Sequence, residues 1–357
     1  MKNLESAFKG KKVLVTGHTG FKGGWLSIWL HMLGADVSGY ALDPIHRNGV
    51  FTASGIGAKI NDIRGDIRDL NRLQTEFKNI QPEIVFHLAA QPLVIESYAR
   101  PVETFEVNIQ GTVHVLEAIR NTPSVKAAVV VTSDKCYENR EWERGYRESD
   151  PMGGFDPYSA SKGAAELVVS AYRRSFFSAP DTAAIASARA GNVIGGGDWA
   201  ANRLVPDVFQ ALERGKSVKL RSPLSTRPWQ HVLEPLGGYL MLATAMLEQP
   251  EKYAEAWNFG PFMHDVHAVK DVVEAIIRHI GTGSWTDISD SNQVHEANLL
   301  MLDITKAIKK LCWRPVFDLK DAIRLTADWY MNYSKKDVLL MTREQIMEYQ
   351  KGCVSER

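Results

Sequence analysis

Two side chains that could act together on an alcohol stand four residues apart in "DPYSASKG". They are Tyr158 and Lys162, the one Tyr-x-x-x-Lys of the 357-residue sequence. On a helix this spacing places both side chains on one face. A free tyrosine has a pKa of about 10, but a nearby ammonium and a nicotinamide cation would favour its phenolate form. The pair could then remove the proton of an alcohol during oxidation. In isolation, the same spacing is typical of a surface pair.

A second polar group follows the apolar run in "VVVTSDKCYEN", where Ser133, Asp134 and Lys135 stand in succession. The Ser133 hydroxyl could hydrogen-bond Tyr158 if this run is a buried strand that ends beside the helix. A carboxyl group and an amine at that point could supply an acid and a base for further proton transfers. Outside such a site, Asp134 and Lys135 would form a surface turn with an internal ion pair.

Gly17, Gly20 and Gly23 form a G-x-x-G-x-x-G loop between the apolar run "KKVLVTG" and a helical pattern. Glycines allow a tight turn and close approach of the backbone to a pyrophosphate. The helix that follows offers free N–H groups and a positive dipole end. Three glycines in a turn also arise by chance, but their position after a strand favours a dinucleotide site.

Two carboxylates follow the next strands. Asp43 closes the second predicted strand, where it could accept hydrogen bonds from an adenosine ribose and repel a 2′-phosphate. This favours NAD over NADP, although Arg47 and Arg64 lie near in sequence, and Asp43 could equally be a solvated turn residue before a proline. Asp66 could meet the adenine or instead cap a helix.

These groups need a scaffold in which strand ends meet, and the sequence alternates strand and helix patterns through residue 191. Such alternation predicts an α/β fold with a doubly wound, parallel Rossmann sheet. Asp156 and Pro157 are suitable residues for the N-cap and first position of one helix. The predicted strands are 11–17, 36–43, 58–66, 82–90, 125–133, 182–190 and 256–260, and the predicted helices include 23–35, 70–80, 101–120 and 156–176.

The amino-acid composition changes at residue 192, where Gly, Pro and Arg become frequent. We expect an NAD-binding domain of residues 1–191 plus about 233–260. We expect residues 192–232 plus 261–357 to form a smaller, mostly helical, discontinuous domain that binds the substrate. A ligand would then lie beyond the carboxyl ends of the strands, between the two domains.

Composition excludes several other classes. Lys plus Arg and Asp plus Glu each number 42, so nothing favours nucleic acid or an anionic membrane as a partner. No apolar run approaches the length of a membrane span, and the first ten residues lack the core of a signal peptide. Three widely spaced cysteines suit a reducing compartment and no metal site. We therefore expect a soluble cytoplasmic protein.

Five segments together resemble the extended short-chain dehydrogenase/reductase superfamily, and within it the 4,6-dehydratases that act on CDP-D-glucose. They are "VTGHTGFKGGWLSIWL", "VTSDKCYEN", "YSASKGAAE", "RAGNVIGGGDW" and "STRPWQHVLEPL". The resemblance covers nearly the whole chain. It implies CDP-glucose as substrate, bound NAD as cofactor, and a hydro-lyase reaction that supplies deoxysugars for bacterial surface polysaccharides such as the lipopolysaccharide O-antigen.

The resemblance also implies roles for single residues. Ser133, Tyr158 and Lys162 would oxidise C4, Asp134 would protonate the C6 hydroxyl, and Lys135 would act at C5. In the related dTDP-glucose dehydratases the corresponding pair resembles Asp-Glu, and the glutamate is taken as the C5 base. Lys135 occupies that place here, so it is either the C5 base or a cation that stabilises the enolate. The expected cofactor contacts are Gly17, Gly20, Phe21, Lys22, Gly23, Asp43, Asp66, Ile67, Leu88, Ala89, Ala90, Tyr158 and Lys162.

A sugar nucleotide carries a diphosphate, and residues 202–228 hold six basic side chains against two acidic ones. Arginine suits phosphate because its planar fork donates two hydrogen bonds. Arg227 and then Arg203 are the best candidates, with Arg221 as a further contact, and Arg214, Lys216 and Lys219 are expected to be solvated. By resemblance, Asn192 would touch the diphosphate or sugar. His87 is expected to be a packed strand residue.

Three alternatives stay open. A nucleotide-sugar 4-epimerase needs the Ser, Tyr and Lys but gains nothing from Asp134. A 4,6-dehydratase could use dTDP-, UDP- or GDP-sugars, because no residue selects cytosine by itself. A catalytically silent dinucleotide sensor would not need Ser133, Tyr158 and Lys162.

Residues 101–120 and 157–178 could build the four-helix interface of a homodimer or homotetramer.

Overall fold

The computed structural model describes residues 4–289 and 299–355. Its centre is a parallel sheet of seven strands, in the order β7-β6-β5-β4-β1-β2-β3. This confirms the predicted fold class. Its strands are β1 Lys12–Thr16, β2 Asp36–Ala41, β3 Asn61–Arg64, β4 Ile84–His87, β5 Ala127–Val131, β6 Ala184–Ala190 and β7 Ala256–Phe259.

Helices cover both faces of this sheet. Val13 and Val15 of β1 point into one hydrophobic core, and Leu14 between them points into the other. This explains why β1, β4 and β5 are nearly continuously apolar rather than alternating. The helices are α1 Leu4–Phe8, α2 Phe21–Met32, α3 Val50–Ser54, α4 Leu70–Ile80, α5 Val94–Ala99, α6 Pro101–Phe105, α7 Gly111–Arg120, α8 Pro157–Phe176, α9 Leu204–Glu213, α10 Leu233–Glu248, α11 Pro250–Tyr253, α12 Val269–Ile280, α13 Leu319–Asn332 and α14 Val338–Ser355.

Several predicted elements differ in detail. The third strand is shorter than expected, because residues 56–59 form a 3₁₀ turn before it. The helix expected over 101–120 is divided by a π-helical turn at 106–110. Helix α9 was not predicted at all, because it lies in the segment rich in Gly, Pro and Arg. It tolerates Pro206 because the proline stands in the first turn, where N–H groups lack helical partners.

The parallel arrangement brings the carboxyl ends of β1, β4, β5 and β6 to one edge of the sheet. The glycine loop follows β1, and the segment that begins at Ser133 follows β5 just beyond Thr132. The chain returns to the sheet through β7, which pairs with β6. The proposed division into two domains stays a prediction. No helix of residues 4–289 or 299–355 has the length and apolar character needed to cross a membrane.

Candidate active site

A cavity of about 820 Å³ opens at the carboxyl edge of the sheet. Its lining combines the glycine loop, the ends of β4, β5 and β6, the start of α8 and residues 192–229. Three of the five predicted catalytic residues (Ser133, Asp134 and Lys135) come from the segment after β5. The other two, Tyr158 and Lys162, come from α8. The structure thus brings all five side chains to one cavity.

The glycine loop has the form of a phosphate cradle. Gly17 has φ +76°, and a Cβ there would lie 2.7 Å from the backbone N of Ala89. A Cβ on Gly23 would lie 2.1 Å from the carbonyl oxygen of Gly17. Gly20 precedes α2 without a side-chain cap, so the first N–H groups of this 12-residue helix stay available to an anion. Phe21 and Lys22 of its first turn line the cavity.

Three of the predicted cofactor contacts are not among the described residues that line this cavity, namely Asp43, Asp66 and Ile67. Asp43 is 89% exposed, and its carboxylate lies 3.3 Å from Arg64, which also binds Asp62 at 2.8 Å. Arg64 is therefore engaged by two carboxylates, and the site does not favour a 2′-phosphate. Asp66 caps no helix: its carboxylate accepts hydrogen bonds from Arg68, and this lowers the pKa of Asp66.

Ile67 is buried, and a Cβ on Gly111 would lie 2.5 Å from its Cδ1 atom. After β4, Leu88 and Ala90 line the cavity, while Ala89 faces Gly17. The roles of Asp43, Asp66, Ile67 and Ala89 in cofactor binding stay predictions.

His87 is a packed residue, as the sequence analysis expected. Its ring is buried and forms hydrogen bonds with Thr16 at 2.7 Å and Thr112 at 3.2 Å. Burial lowers the pKa of His87 to about 3, with a smaller effect from the Lys162 charge. The imidazole is therefore neutral at physiological pH and stabilises the ends of β1 and β4.

The segment after β5 holds Asp134 in a fixed position. Ser133 is extended, and a single 3₁₀ turn begins at Asp134. The Ser133 hydroxyl donates to Asp134 Oδ1 at 2.9 Å and accepts from the backbone N–H of Lys135 at 3.2 Å. The other carboxylate oxygen, Oδ2, is buried without a hydrogen-bond partner among the described residues. It lies where a Cβ on Gly191 would be only 1.9 Å away.

Helix α8 presents Tyr158 and Lys162 to the same cavity. Its N-cap is Asp156, whose carboxylate accepts from the backbone N–H of Ser159 at 2.9 Å. Burial raises the pKa of Tyr158 to about 12, opposed by its hydrogen bond with Ser133 and by the charge of Arg203. Burial also lowers the pKa of Lys162 to about 8. Ser133 and Arg203 thus favour the phenolate, and the effect expected of Lys162 stays a prediction.

A buried ion pair lies behind these residues. Arg189 of β6 donates to Glu166 of α8 at 2.7 Å, and both side chains are at least 96% buried, with exposures of 4% and 3%. Glu166 also accepts from Thr132 at 2.5 Å, and Arg189 donates to the Tyr137 hydroxyl at 2.6 Å. Burial opposes ionisation of Glu166. The charge of Arg189 and the hydrogen bonds from Arg189, Thr132 and Ser187 nevertheless keep the pKa of Glu166 below its ordinary value.

The far side of the cavity carries the predicted phosphate ligands. Asn192 has φ +47°, a conformation that asparagine adopts more readily than most residues. Arg203 donates to Asp198 at 2.8 Å, which holds its guanidinium in place. Arg227 donates to the carbonyl of Thr226 at 2.8 Å. All four predicted substrate residues line the cavity: Asn192, Arg203, Arg221 and Arg227.

Two relationships were missed by the sequence analysis. Asp198, in "GGGDW", is the carboxylate that positions Arg203. Lys22 was expected only as a cofactor contact, but its ammonium interacts electrostatically with Asp134 and Asp198. The signal for Asp198 was an acidic residue after three glycines. No local signal linked Lys22 with Asp134, because they are more than 100 residues apart.

Sequence comparison defines the class. The sequence model of the family described as GDP-mannose 4,6 dehydratase matches residues 14–326. The chain therefore belongs to this family of nucleotide-sugar 4,6-dehydratases. It is 46% identical over 347 residues to CDP-glucose 4,6-dehydratase of Salmonella typhimurium, a match that covers 96% of this chain and 97% of the relative. Human dTDP-D-glucose 4,6-dehydratase is 27% identical over 336 residues and is covered to 90%, as is this chain.

Solved structures show the same fold. A dTDP-glucose 4,6-dehydratase from Streptomyces venezuelae, solved with NAD and TYD bound, aligns with a TM-score of 0.76 at 23% identity, covering 90% of this chain and 97% of that chain. An epimerase from Methanothermobacter thermautotrophicus aligns with a TM-score of 0.79 at 24% identity, covering 96% and 97%. The family match and the Salmonella relative confirm the resemblance to 4,6-dehydratases stated from the sequence, and the solved structures confirm the fold.

Substitution Gly191→Ala is expected to disable Asp134 without unfolding the protein. The new Cβ would overlap the carboxylate of Asp134, and we expect dehydration to slow by about 10²-fold, as for a misplaced catalytic group. The control is Gly260→Ala, where the nearest atom to a new Cβ is 3.6 Å away. Steady-state rates and thermal unfolding of both variants test this. Equal activity of Gly191→Ala and Gly260→Ala would contradict the assigned position of Asp134.

Proposed function

We propose that this protein catalyses the NAD-dependent dehydration of CDP-D-glucose to CDP-4-dehydro-6-deoxy-D-glucose. The observation that carries the proposal is that Tyr158 and Asp134 face one cavity and influence each other electrostatically. A phenol for the C4 hydroxyl and a carboxyl for the C6 hydroxyl are what a 4,6-dehydratase needs beside one hexose. The 46% identity to the Salmonella CDP-glucose 4,6-dehydratase supports CDP as the nucleotide.

The cradle of the glycine loop fits the pyrophosphate of NAD, because glycines and free helix N–H groups meet there. When bound, NAD would accept a hydride from C4 of the sugar and return it to C6, so that the reaction has no net redox change. Gly17, Gly20 and Gly23 would hold the phosphates, and Asp43 would accept hydrogen bonds from the adenosine ribose. Lys162 would hold the ribose at the nicotinamide end.

Tyr158 would take the proton of the C4 hydroxyl group. Its pKa of about 12 is too high for a phenolate at neutral pH in the free protein. The hydrogen bond with Ser133 and the charge of Arg203 already oppose this rise, and the nicotinamide cation would add a further positive charge. Tyr158 would therefore become a competent base when the cofactor is in place.

The C4 ketone acidifies the proton on C5, which makes loss of water possible. Lys135 would remove that proton, and Asp134 would donate a proton to the C6 hydroxyl group so that water leaves. Asp134 is buried beside Gly191, and its Oδ2 atom has no partner in the described structure. A buried oxygen without a partner is costly unless a ligand completes its hydrogen bonding.

The diphosphate of the substrate would lie against Asn192, Arg203 and Arg227, with Arg221 at the open end. Asp198 holds the guanidinium of Arg203 from one side. The other donors of Arg203 can therefore face an anion. Arg214 and Lys216 are exposed and do not line the cavity formed by the described residues, so we assign them no role.

A nucleotide-sugar 4-epimerase is the second candidate, since solved 4-epimerases share the fold. Asp134 argues against it, because epimerisation at C4 loses no water and needs no acid at C6. The two reactions also differ in mass balance.

The direct test is to supply CDP-, dTDP-, UDP- and GDP-hexoses with NAD and follow loss of water by mass spectrometry. We expect CDP-glucose to lose one water at a rate at least about 10-fold above the others, because the net loss of one ordinary hydrogen bond costs about 1 kcal/mol. A product of unchanged mass but inverted at C4 would establish an epimerase. Preference for another nucleotide would overturn the assignment of CDP.

Lys135→Met tests the base. We expect deuterium exchange at C5 from solvent to fall by about 10² to 10⁴-fold, because the group that moves this proton is gone. Oxidation at C4 should continue, which bound cofactor absorbance reports. Lys216→Met, at an exposed site, is the matched control. Unchanged exchange in Lys135→Met would leave Lys135 as an enolate stabiliser or a spectator.

We also propose a homodimer built on helices α5 to α8, in the cytoplasm. Apolar side chains are exposed on this face, namely Ile95, Tyr98, Val102, Phe105, Leu167 and Phe176. A group of exposed large apolar side chains on neighbouring helices is typical of an interface.

Leu167 is 61% exposed, and Leu167→Asp would place a charge among these apolar side chains. We expect it to convert a dimer or tetramer into a smaller species, measured by light scattering after gel filtration. Leu224→Asp, at a residue 73% exposed outside helices α5 to α8, is the control. An unchanged molar mass for Leu167→Asp would reject this interface.

A further inference from the structure

Lys22 belongs to the glycine loop but lines the same cavity as the predicted catalytic residues. It stands in the first turn of α2, and its side chain enters the cavity that contains Asp134, Tyr158 and Lys162. In the part of the chain that the structure describes, the Lys22 ammonium makes no direct hydrogen bond or ion pair. It interacts at longer range with Asp134 and Asp198, and with the cations Arg203 and Lys162.

Several of the charges around Lys22 are directed at other groups. Asp198 pairs with Arg203 at 2.8 Å. The charge of Glu166 acts on Lys162, but Glu166 is itself paired with Arg189 at 2.7 Å. Asp134 receives a hydrogen bond only on Oδ1, from Ser133. Lys135 follows Asp134 in the chain and is assigned to the C5 proton, so Lys22 is a second cation in the cavity that can balance a negative charge on Asp134.

We propose that Lys22 is the counter-charge of Asp134, a positioning residue that stabilises the carboxylate left after Asp134 has protonated the leaving C6 hydroxyl group. The inference rests on the proposed dehydration. In that step the O–H bond of Asp134 breaks as the proton passes to the C6 oxygen, and the C6–O bond breaks to release water. The electron pair of the C5–H bond, whose proton goes to Lys135, forms the C5=C6 bond.

The physical reason is the cost of a buried charge. Asp134 is 3% exposed, and an unpaired carboxylate in such a place is strongly disfavoured. An ammonium nearby lowers that cost selectively in the transition state, where the negative charge develops. Burial lowers the pKa of Lys22 to about 7, and the charge of Asp134 opposes this change. The charge of Asp134 therefore favours the ammonium form of Lys22.

The test compares Lys22→Met with Lys22→Arg in deuterated water with CDP-glucose and NAD. Two rates are measured: loss of water, and deuterium incorporation at C5 of recovered CDP-glucose. The first depends on Asp134 acting as an acid, and the second only on C4 oxidation and C5 deprotonation. In Lys22→Met we expect water loss to fall on the order of 10²-fold while C5 exchange persists, so their ratio changes. Lys22→Arg should restore much of the water loss.

Equal falls in both rates, with weaker NAD binding in a direct binding assay, would overturn the proposal and make Lys22 a cofactor ligand only. Lys12→Met, at an exposed residue of the strand before the loop, is the control. A second readout needs no turnover: Asp134→Asn should lower the pKa of Lys22 further, followed by NMR of its side chain. An unchanged Lys22 titration would also reject the coupling. If the unsubstituted protein loses no water from CDP-glucose, the proposed function fails instead.

Discussion

The buried ion pair between Glu166 and Arg189 is the constraint on which the site depends. Glu166 stands one helical turn after Lys162 on α8, while Arg189 belongs to β6. Through Thr132 the pair also fixes the residue immediately before Ser133, and through Tyr137 it fixes the residue just after the 3₁₀ turn of Asp134. One network thus holds the segment of Ser133, Asp134 and Lys135 against helix α8, which carries Tyr158 and Lys162. Loss of one partner of such a pair costs about 3–5 kcal/mol.

The parallel sheet supplies the second constraint. Because neighbouring strands run in the same direction, the glycine loop after β1 and the polar segment after β5 open at one edge. The close approach of Gly17 to Ala89, and of Gly23 to Gly17, leaves no room for a Cβ at either position. The cofactor cradle and the acid–base residues are therefore positioned by the same backbone. This allows a single cavity to bring a nicotinamide and a hexose together.

Much of the fold and of the candidate site could be predicted from the sequence, because short segments of the chain carry the patterns that indicate them. Apolar runs identified central strands such as β1, β4 and β5, and Asp156 with Pro157 marked the start of α8. Helix α9 was missed because Pro206 and the glycines and arginines on either side favoured a loop, although Val205, Val208 and Phe209 recur at helical spacing. The rise in the pKa of Tyr158 could not be predicted from the sequence either, because it results from burial of the phenol. The space that Gly191 provides for Asp134, and the coupling of Asp134 to Lys22, depend on contacts between distant segments.

The central claim is that the phenol of Tyr158 and the carboxyl of Asp134 lie against one hexose. A crystal structure with NAD and an unreactive CDP-glucose analogue tests this most directly. The account predicts Tyr158 Oη within about 2.6–3.2 Å of the C4 oxygen and an Asp134 carboxylate oxygen within the same reach of the C6 oxygen. A complex in which the C6 oxygen points away from Asp134, with Tyr158 still on the C4 oxygen, would contradict it.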